Sequence, residues 1–399
     1  MILDVETTIK ANGSPFHRGN KLCYVGLKNH DRSILYDIEY GNDPYGEKLK
    51  EIKQLIESCD LLVGFNIKFD LHWIRRYCDN IRFPRVWDCQ LGVFLLGSQS
   101  VAYPSLDSAC TSNGILGKLR NIAAEYWENG IDTTEVPRDE LEEYLTQDLI
   151  STEQLYLKQY DELCLNQLFR LQCMDLLVLE EMEHNGMRYN KEGSILRAES
   201  LNEEISNIDK QLRDVVDREW INWNSSDHVS AILYGGSVPV PATIPTERVL
   251  KSGEIKHGTK KGFKQEVMER LVDPDPKSET LPTKGWSNYR LEAENAKRAM
   301  EGKQPYERIF SISKDTLRSL KAKGKAKSII DLLLRRSEME KLLSTYLRGI
   351  PKAMEELGNE KYVHGQFNQC VARTGRLSSS APNLQNIARD IKQLFITRY

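Results

Sequence analysis

A chain of 399 residues exceeds the usual size of a single hydrophobic core, so two or three domains are expected. Apolar residues at 40% and charged residues at 28% exclude global disorder, and no apolar run approaches the roughly 20 residues needed to cross a bilayer, so a membrane-free, cytoplasmic protein is expected. The net charge of −3 hides a reversal, from −7 over residues 1–160 to +9 over residues 311–399, which points to cation binding at the N-terminal end and phosphate binding at the C-terminal end.

In chain order, residues 1–160 read as α/β, with strands at Ile2–Val5, Leu22–Leu27 and Leu61–Phe65 and a helix at Leu49–Ser58. Helical spacing then takes over. Leu141, Leu145, Leu149 and Leu155 mark one stripe, and Leu171, Met174, Leu177, Val178 and Met182 a second, both expected to be core. Gly186 is placed to stop a helix, and Asn190 to cap the next one, which runs to about Arg218. A mainly helical second domain is therefore expected from about residue 165. Between about 235 and 310 the turn-forming residues multiply, and this stretch reads as an irregular insertion. Its basic run from Lys251 to Lys264 is expected to be a solvated loop, with phosphate contact as the alternative. Helices resume at Lys314 and yield near Tyr362 to strand and loop. The eight cysteines form no C-x-x-C pair, so they are expected to be reduced and mostly buried.

Three segments concentrate carboxylates. Asp4 and Glu6 end an apolar strand, whose period of two sends both to one face; alone, such a pair is more often two solvated acids. Asp70 lies four residues after Asn66 inside an apolar stretch, where an unpartnered acid is costly; Asn66 alone reads equally as a helix cap. Tyr144 and Asp148 share a helix face at i and i+4. Taken together and in this order, the residues resemble the metal-binding set of DEDD exonucleases of the tyrosine subtype. That resemblance implies Asp4, Glu6, Asp70 and Asp148 as ligands of two Mg²⁺ or Mn²⁺ ions, and Tyr144 as the residue that orients the attacking water. Asp88 is expected to be structural or to support these ligands from behind.

The string Thr374-Gly375-Arg376-Leu377-Ser378-Ser379-Ser380-Ala381-Pro382-Asn383-Leu384-Gln385-Asn386-Ile387 resembles the primer-template loop of A-family DNA polymerases, the bacterial enzymes and their bacteriophage relatives. SEMEKLLSTYL (337–347) and INWNSSDHVSAILYGG (221–236) resemble thumb segments of that family. The resemblance implies an RNase H-like exonuclease domain at 1–160, a thumb region at 165–360 and the start of a palm at 361–399. It further implies primer-template and single-stranded DNA as partners. Arg373, Thr374, Arg376, Asn383, Gln385 and Asn386 are then expected on DNA, along with Asn66; the thumb residues Lys341, Ser344, Thr345 and Tyr346 are candidates for its backbone, with packing as the alternative for any one of them. Arg376 offers a forked donor to minor-groove acceptors, which are nearly alike for all base pairs and suit sequence-tolerant gripping.

The family's first palm aspartate would follow the final Gln393–Tyr399 segment, which is expected to be an open palm strand. Synthesis is therefore expected to need a second chain carrying palm and fingers. The alternatives are a fragment of a single-chain polymerase and a non-catalytic DNA-gripping scaffold. A stand-alone RNA-processing nuclease is disfavoured by the primer-template string.

Overall fold

In the computed structural model, which describes residues 1–30, 32–39, 46–116, 121–249, 255–280, 295–302 and 309–397, the N-terminal apolar run becomes the middle strand of a mixed sheet. That strand, β1 (Ile2–Thr7), is followed by β2 (Leu22–Asn29), β3 (Arg32–Asp37), helix α1 (Glu47–Ser58), β4 (Leu61–Gly64), α2 (Ile67–Tyr77), β5 (Arg85–Asp88) and α3 (Cys89–Leu96). The sheet order is β3-β2-β1-β4-β5, antiparallel on the β2–β3 side and parallel on the β4–β5 side. The parallel strands are linked through α2, as parallel neighbours require.

Two short helices, α4 (Leu106–Ser112) and α5 (Ile122–Glu125), lead into the long helices α6 (Arg138–Leu163) and α7 (Gln167–Asn185). Leu141, Leu145, Leu149 and Leu155 of α6 are buried with β1 and β2, as their spacing requires. Gly26 on β2 explains the close approach: a Cβ there would lie 2.8 Å from Leu149 Cδ1 and 3.1 Å from Leu145 Cδ1.

Helix α7 corrects the expected stripe. Leu171, Met174, Val178 and Met182 are exposed, and the buried face is Phe169, Cys173, Leu176, Leu179, Glu180 and Glu183. The reason is electrostatic as well as apolar. Glu180 takes a bidentate Arg75 (Nε 2.8 Å, Nη2 2.7 Å), and Glu183 accepts Lys68 Nζ at 2.6 Å and the Phe367 amide at 2.5 Å and meets His72 Nε2 at 2.8 Å. Buried charges are tolerable only when paired in this way, and the pairing sets the rotation of the helix.

The chain divides into two compact units, Met1–Ile195 with Thr345–Tyr399, and Leu196–Ser344. In the first, Gly186 ends α7 at φ +62° and is followed by β6 (Met187–Arg188). Then α8 (Lys191–Val216) starts where the Asn190 side chain accepts the Gly193 amide at 2.8 Å.

The second unit holds most of α8, then α9 (Ser226–Tyr234), a hairpin of β7 (Gly236–Val249) and β8 (Ile255–Met268), and the short pair β9 (Glu279–Thr280) and β10 (Ile309–Phe310). It ends with α10 (Lys314–Ser319) and α11 (Gly324–Lys341). The two 14-residue strands correct the expectation of an irregular insertion. Val238 and Val240, both buried at alternate positions, are the signal that the prolines and glycines masked. Parts of that insertion, including Lys251–Glu254 and 281–294, lie outside the described residues.

After a π-helical turn at Leu342–Arg348 come α12 (Gly349–Leu357), β11 (Tyr362–Val363), β12 (Gln366–Asn368) and β13 (Ser378–Ser380). β11 pairs with β6, and β12 with β13. The expected terminal strand is instead a 3-10 turn at Arg389–Leu394, followed by a single bridge between Tyr189 and Phe395; Arg398 and Tyr399 lie outside the described residues. All eight cysteines are free, six of them buried.

Candidate active site: a carboxylate-lined cavity

On β1, Asp4 stands opposite Gly26 and Glu6 opposite Tyr24, so both carboxylates share the face that meets α6. Tyr24 confirms the direction by donating its hydroxyl to Glu142 on α6 at 3.0 Å. Beyond Glu6 the strand is held by Thr133, whose hydroxyl donates to the Thr7 carbonyl at 2.6 Å.

Asp70 arrives from α2. It shares the buried face of that helix with Ile67, Leu71 and Ile74, and its Oδ1 accepts the Val5 amide at 3.2 Å, between Asp4 and Glu6. Burial, and then the neighbouring Asp4 charge, hold its pKa well above the usual carboxylate range.

The start of α2 is organised by Asp88 at the end of β5. Its carboxylate accepts the amides of Asn66 at 3.2 Å, Gln90 at 2.7 Å and Leu91 at 3.3 Å, so one buried side chain serves the first turns of α2 and α3. Burial raises Asp88 to about 6 against the pull of those amides. Asp88 is thus the structural acid the sequence suggested. Asn66 sits at the N-cap of α2 with φ +56°, yet its side chain makes no cap bond and is exposed toward the cavity. The cap alternative therefore does not describe it.

Helix α6 contributes Tyr144 and Asp148, both buried. Trp127 meets the Tyr144 ring edge-on, with centroids 6.0 Å apart. Burial, then Asp148, Glu6 and Asp4, push the Tyr144 phenol far up, so it stays protonated.

All five predicted residues, with Asn66, line one cavity of about 500 Å³. Phe65, Phe69 and Trp127 also line it and were missed in the sequence reading. The spacing of Phe65 and Phe69 around Asn66 and Asp70 was a usable signal for the first two; Trp127 carried none. The four acids offer only hard oxygen donors within a shared negative field, a set that fits hard divalent cations and is relieved by them.

The other predicted residues fall elsewhere. Arg373, Thr374, Arg376, Asn383, Gln385 and Asn386 are all exposed on the loops flanking β13. Asn383 is partly occupied, accepting the amides of Gln385 at 3.1 Å and Asn386 at 3.2 Å, which shapes the loop. In the second unit Lys341 and Ser344 are exposed, and Ser344 donates back to the Glu340 carbonyl at 2.7 Å. In the first unit Thr345 is exposed. Tyr346 is a correction: it is 6% exposed and its hydroxyl donates to the Asn386 carbonyl, so it packs under the loop rather than facing DNA.

The sequence profile of DNA polymerase family A matches residues 288–399. DNA polymerase I of Bacillus subtilis (strain 168) is 40% identical over 93 residues, which is 22% of this chain and 10% of that protein. The thermostable DNA polymerase I of Thermus filiformis is 45% identical over 69 residues, 17% of this chain and 8% of that protein. Among solved structures, the POL domain of Pol1 from M. smegmatis, in complex with DNA primer-template and dNTP, matches with a TM-score of 0.60 at 15% identity, covering 99% of this chain and 54% of that one. At that identity the likeness is one of fold. The chain thus spans about half the length of that structure and a small part of the curated relatives. No helix among the described residues is long and apolar enough to cross a membrane.

Proposed function

We propose that this chain, which carries DNA polymerase family A sequence over residues 288–399, is the 3′-to-5′ exonuclease and DNA-gripping part of an A-family DNA polymerase. The observation that carries the proposal is the convergence of Asp4, Glu6, Asp70, Asp148 and Tyr144 from three separate segments into one cavity. The sheet order with β1 central supports an RNase H-like reading of this domain.

Asp4, Glu6, Asp70 and Asp148 would hold two ions, Mg²⁺ or Mn²⁺. When bound, these supply a more acidic water and stabilise the departing 3′ oxygen. The rest is done by the chain. Tyr144, kept protonated, orients the attacking water through its hydroxyl. Phe65, Phe69 and Trp127 offer ring faces for unpaired terminal bases, and Asn66 a polar contact beside them. Asp88 keeps Asn66 and Asp70 in place through the turn it caps. Such a site prefers a frayed end, because a base must leave its pair to stack on these rings.

The loops around β13 would grip primer-template DNA, the ligand seen with the M. smegmatis domain. Arg373 and Arg376 supply forked donors, and Thr374, Gln385 and Asn386 sequence-tolerant polar contacts; Lys341, Ser344 and Thr345 reach phosphates. A bacterial cytoplasm, the host's if the chain is phage-encoded, is the proposed setting.

The test is degradation of a 3′-mispaired primer-template in Mg²⁺ by the unmodified chain and by Asp4→Ala/Glu6→Ala. The proposal expects degradation that the variant loses by at least about a thousandfold. An unmodified chain that degrades nothing, yet binds the DNA, makes it a scaffold. Equal attack on RNA would make it a processing nuclease.

A further inference from the structure

The β7–β8 hairpin of the second unit has no part in the chemistry above. Strand β8 carries Lys256, Lys260, Lys261 and Lys264 against a single acid, Glu266, and that acid is engaged by Arg218 Nε at 2.8 Å. The base of the hairpin is packed: Val238 and Val240 are buried in one cluster with Ala231, bordered by Trp220 and Met268. Farther along, Lys260, Lys261 and Lys264 are exposed, and Phe263 is 68% exposed.

The register sorts these residues. Phe263 pairs with Pro241 and Lys261 with Thr243, on the face turned away from Val238 and Val240. Lys264 and Lys260 lie on the other face, opposite Val240 and Ile244. Both faces are therefore basic, and one also presents a large apolar ring that contributes nothing to a core.

The edge is informative as well. Pro241 and Pro245 lie two steps of alternation apart on β7, and neither has an N–H to offer. An added strand would find that edge short of donors. Lysines on both faces with an interleaved aromatic suit a polyanion that carries flat apolar groups.

We infer that the β7–β8 hairpin is a nucleic-acid arm, in which Lys260, Lys261 and Lys264 neutralise backbone phosphates while Phe263 packs on a sugar or base. The inference rests on the reading of the chain as a DNA enzyme, but it concerns a surface that takes no part in hydrolysis. The arm adds hold without sequence preference, since phosphates and ring faces are common to every sequence.

The experiment measures primer-template affinity by fluorescence anisotropy across a salt series in EDTA. It uses the full chain, a Lys260→Gln/Lys261→Gln/Lys264→Gln variant, and Phe263→Ala. Each phosphate contact contributes about 0.9 to the slope of log K against log salt, so the triple variant should be shallower by about 2–3 and bind at least about tenfold more weakly at low salt. Phe263→Ala should weaken binding and leave the slope unchanged. A triple variant with the slope and affinity of the unmodified chain overturns the arm. Mg²⁺-dependent degradation of a short single strand is read in parallel: its absence in the unmodified chain counts against the nuclease reading alone, while the salt slope still decides the arm.

Discussion

Gly26 has no side chain to offer the cavity, yet it decides where two of the cavity's residues stand. It faces Asp4 across the ladder and lies under Leu145 and Leu149, the neighbours of Tyr144 and Asp148 on α6. A methyl group there would meet Leu149 Cδ1 at 2.8 Å, and both leucines are fully buried and cannot swing aside. Gly26→Ala should cost about 1–3 kcal/mol in urea titration and lower turnover in the proposed exonuclease reaction as α6 lifts from the sheet. Unchanged stability and turnover would show that α6 is not held by this approach. Tyr144→Phe separates chemistry from packing, because the ring that meets Trp127 is kept and only the hydroxyl goes. Turnover should fall roughly a hundredfold with thermal stability nearly unchanged; a full loss of stability would assign Tyr144 to the core instead. At this scale the sequence was informative about acids and a phenol, whose chemistry announces itself by residue type. It was silent about Gly26 and Trp127, whose importance depends on which distant residues lie opposite them.

Among the elements, α7 shows why periodicity alone misjudged a helix. Its apolar residues surround most of the circumference, and the buried side was chosen by Glu180 and Glu183, which answer Arg75, Lys68 and His72 on α2. Nothing in a hydropathy pattern reveals that two glutamates will be the innermost residues. Two histidines in this layer should titrate in opposite senses. Burial opposes protonation of His72, but hydrogen bonds to Glu180 and Glu183 more than offset it, and its pKa is raised. The stability it contributes is thus present at low pH and lost as pH rises through its folded value. Half-buried His184 is pushed down from 6.5 to about 4, by burial first and then by the Arg75, His72 and His364 charges against the pull of Glu180. Its neutral form is the folded one, so its share of stability is present above 6.5 and lost as pH falls toward 4. In urea titrations across that window, His184→Gln should decline less on the acid side than the unmodified chain; parallel profiles would contradict the assignment. In the second unit, Arg336 of α11 binds Asp209 at 2.6 Å and Asn224 at 2.8 Å while nearly buried. Arg336→Ala leaves Asp209 without its partner and should cost about 3 kcal/mol. The hairpin was illegible for a different reason: glycine and proline counts favour loops, and only the Val238–Val240 alternation spoke for strands.

For the whole chain, the division into two compact units means that a single unfolding transition is not expected. The carboxylates of the cavity belong entirely to the first unit, and their mutual repulsion is already visible in the raised pKa of Asp70, driven by burial and then by Asp4. A cation bound there stabilises only the state in which the four acids converge, by about 2.7 kcal/mol at a free concentration a hundred times its dissociation constant. Calorimetry should therefore show one transition that moves up when Mg²⁺ or Mn²⁺ replaces EDTA and another that does not move. In Asp4→Ala/Glu6→Ala the first transition should start higher in EDTA, because two like charges are gone from a buried cluster, and should no longer respond to the metal. Arg336→Ala should lower the other transition alone. A metal response that persists in the double variant would place the cation outside this cavity, and a single transition shifted as a whole by both changes would mean that the units unfold as one.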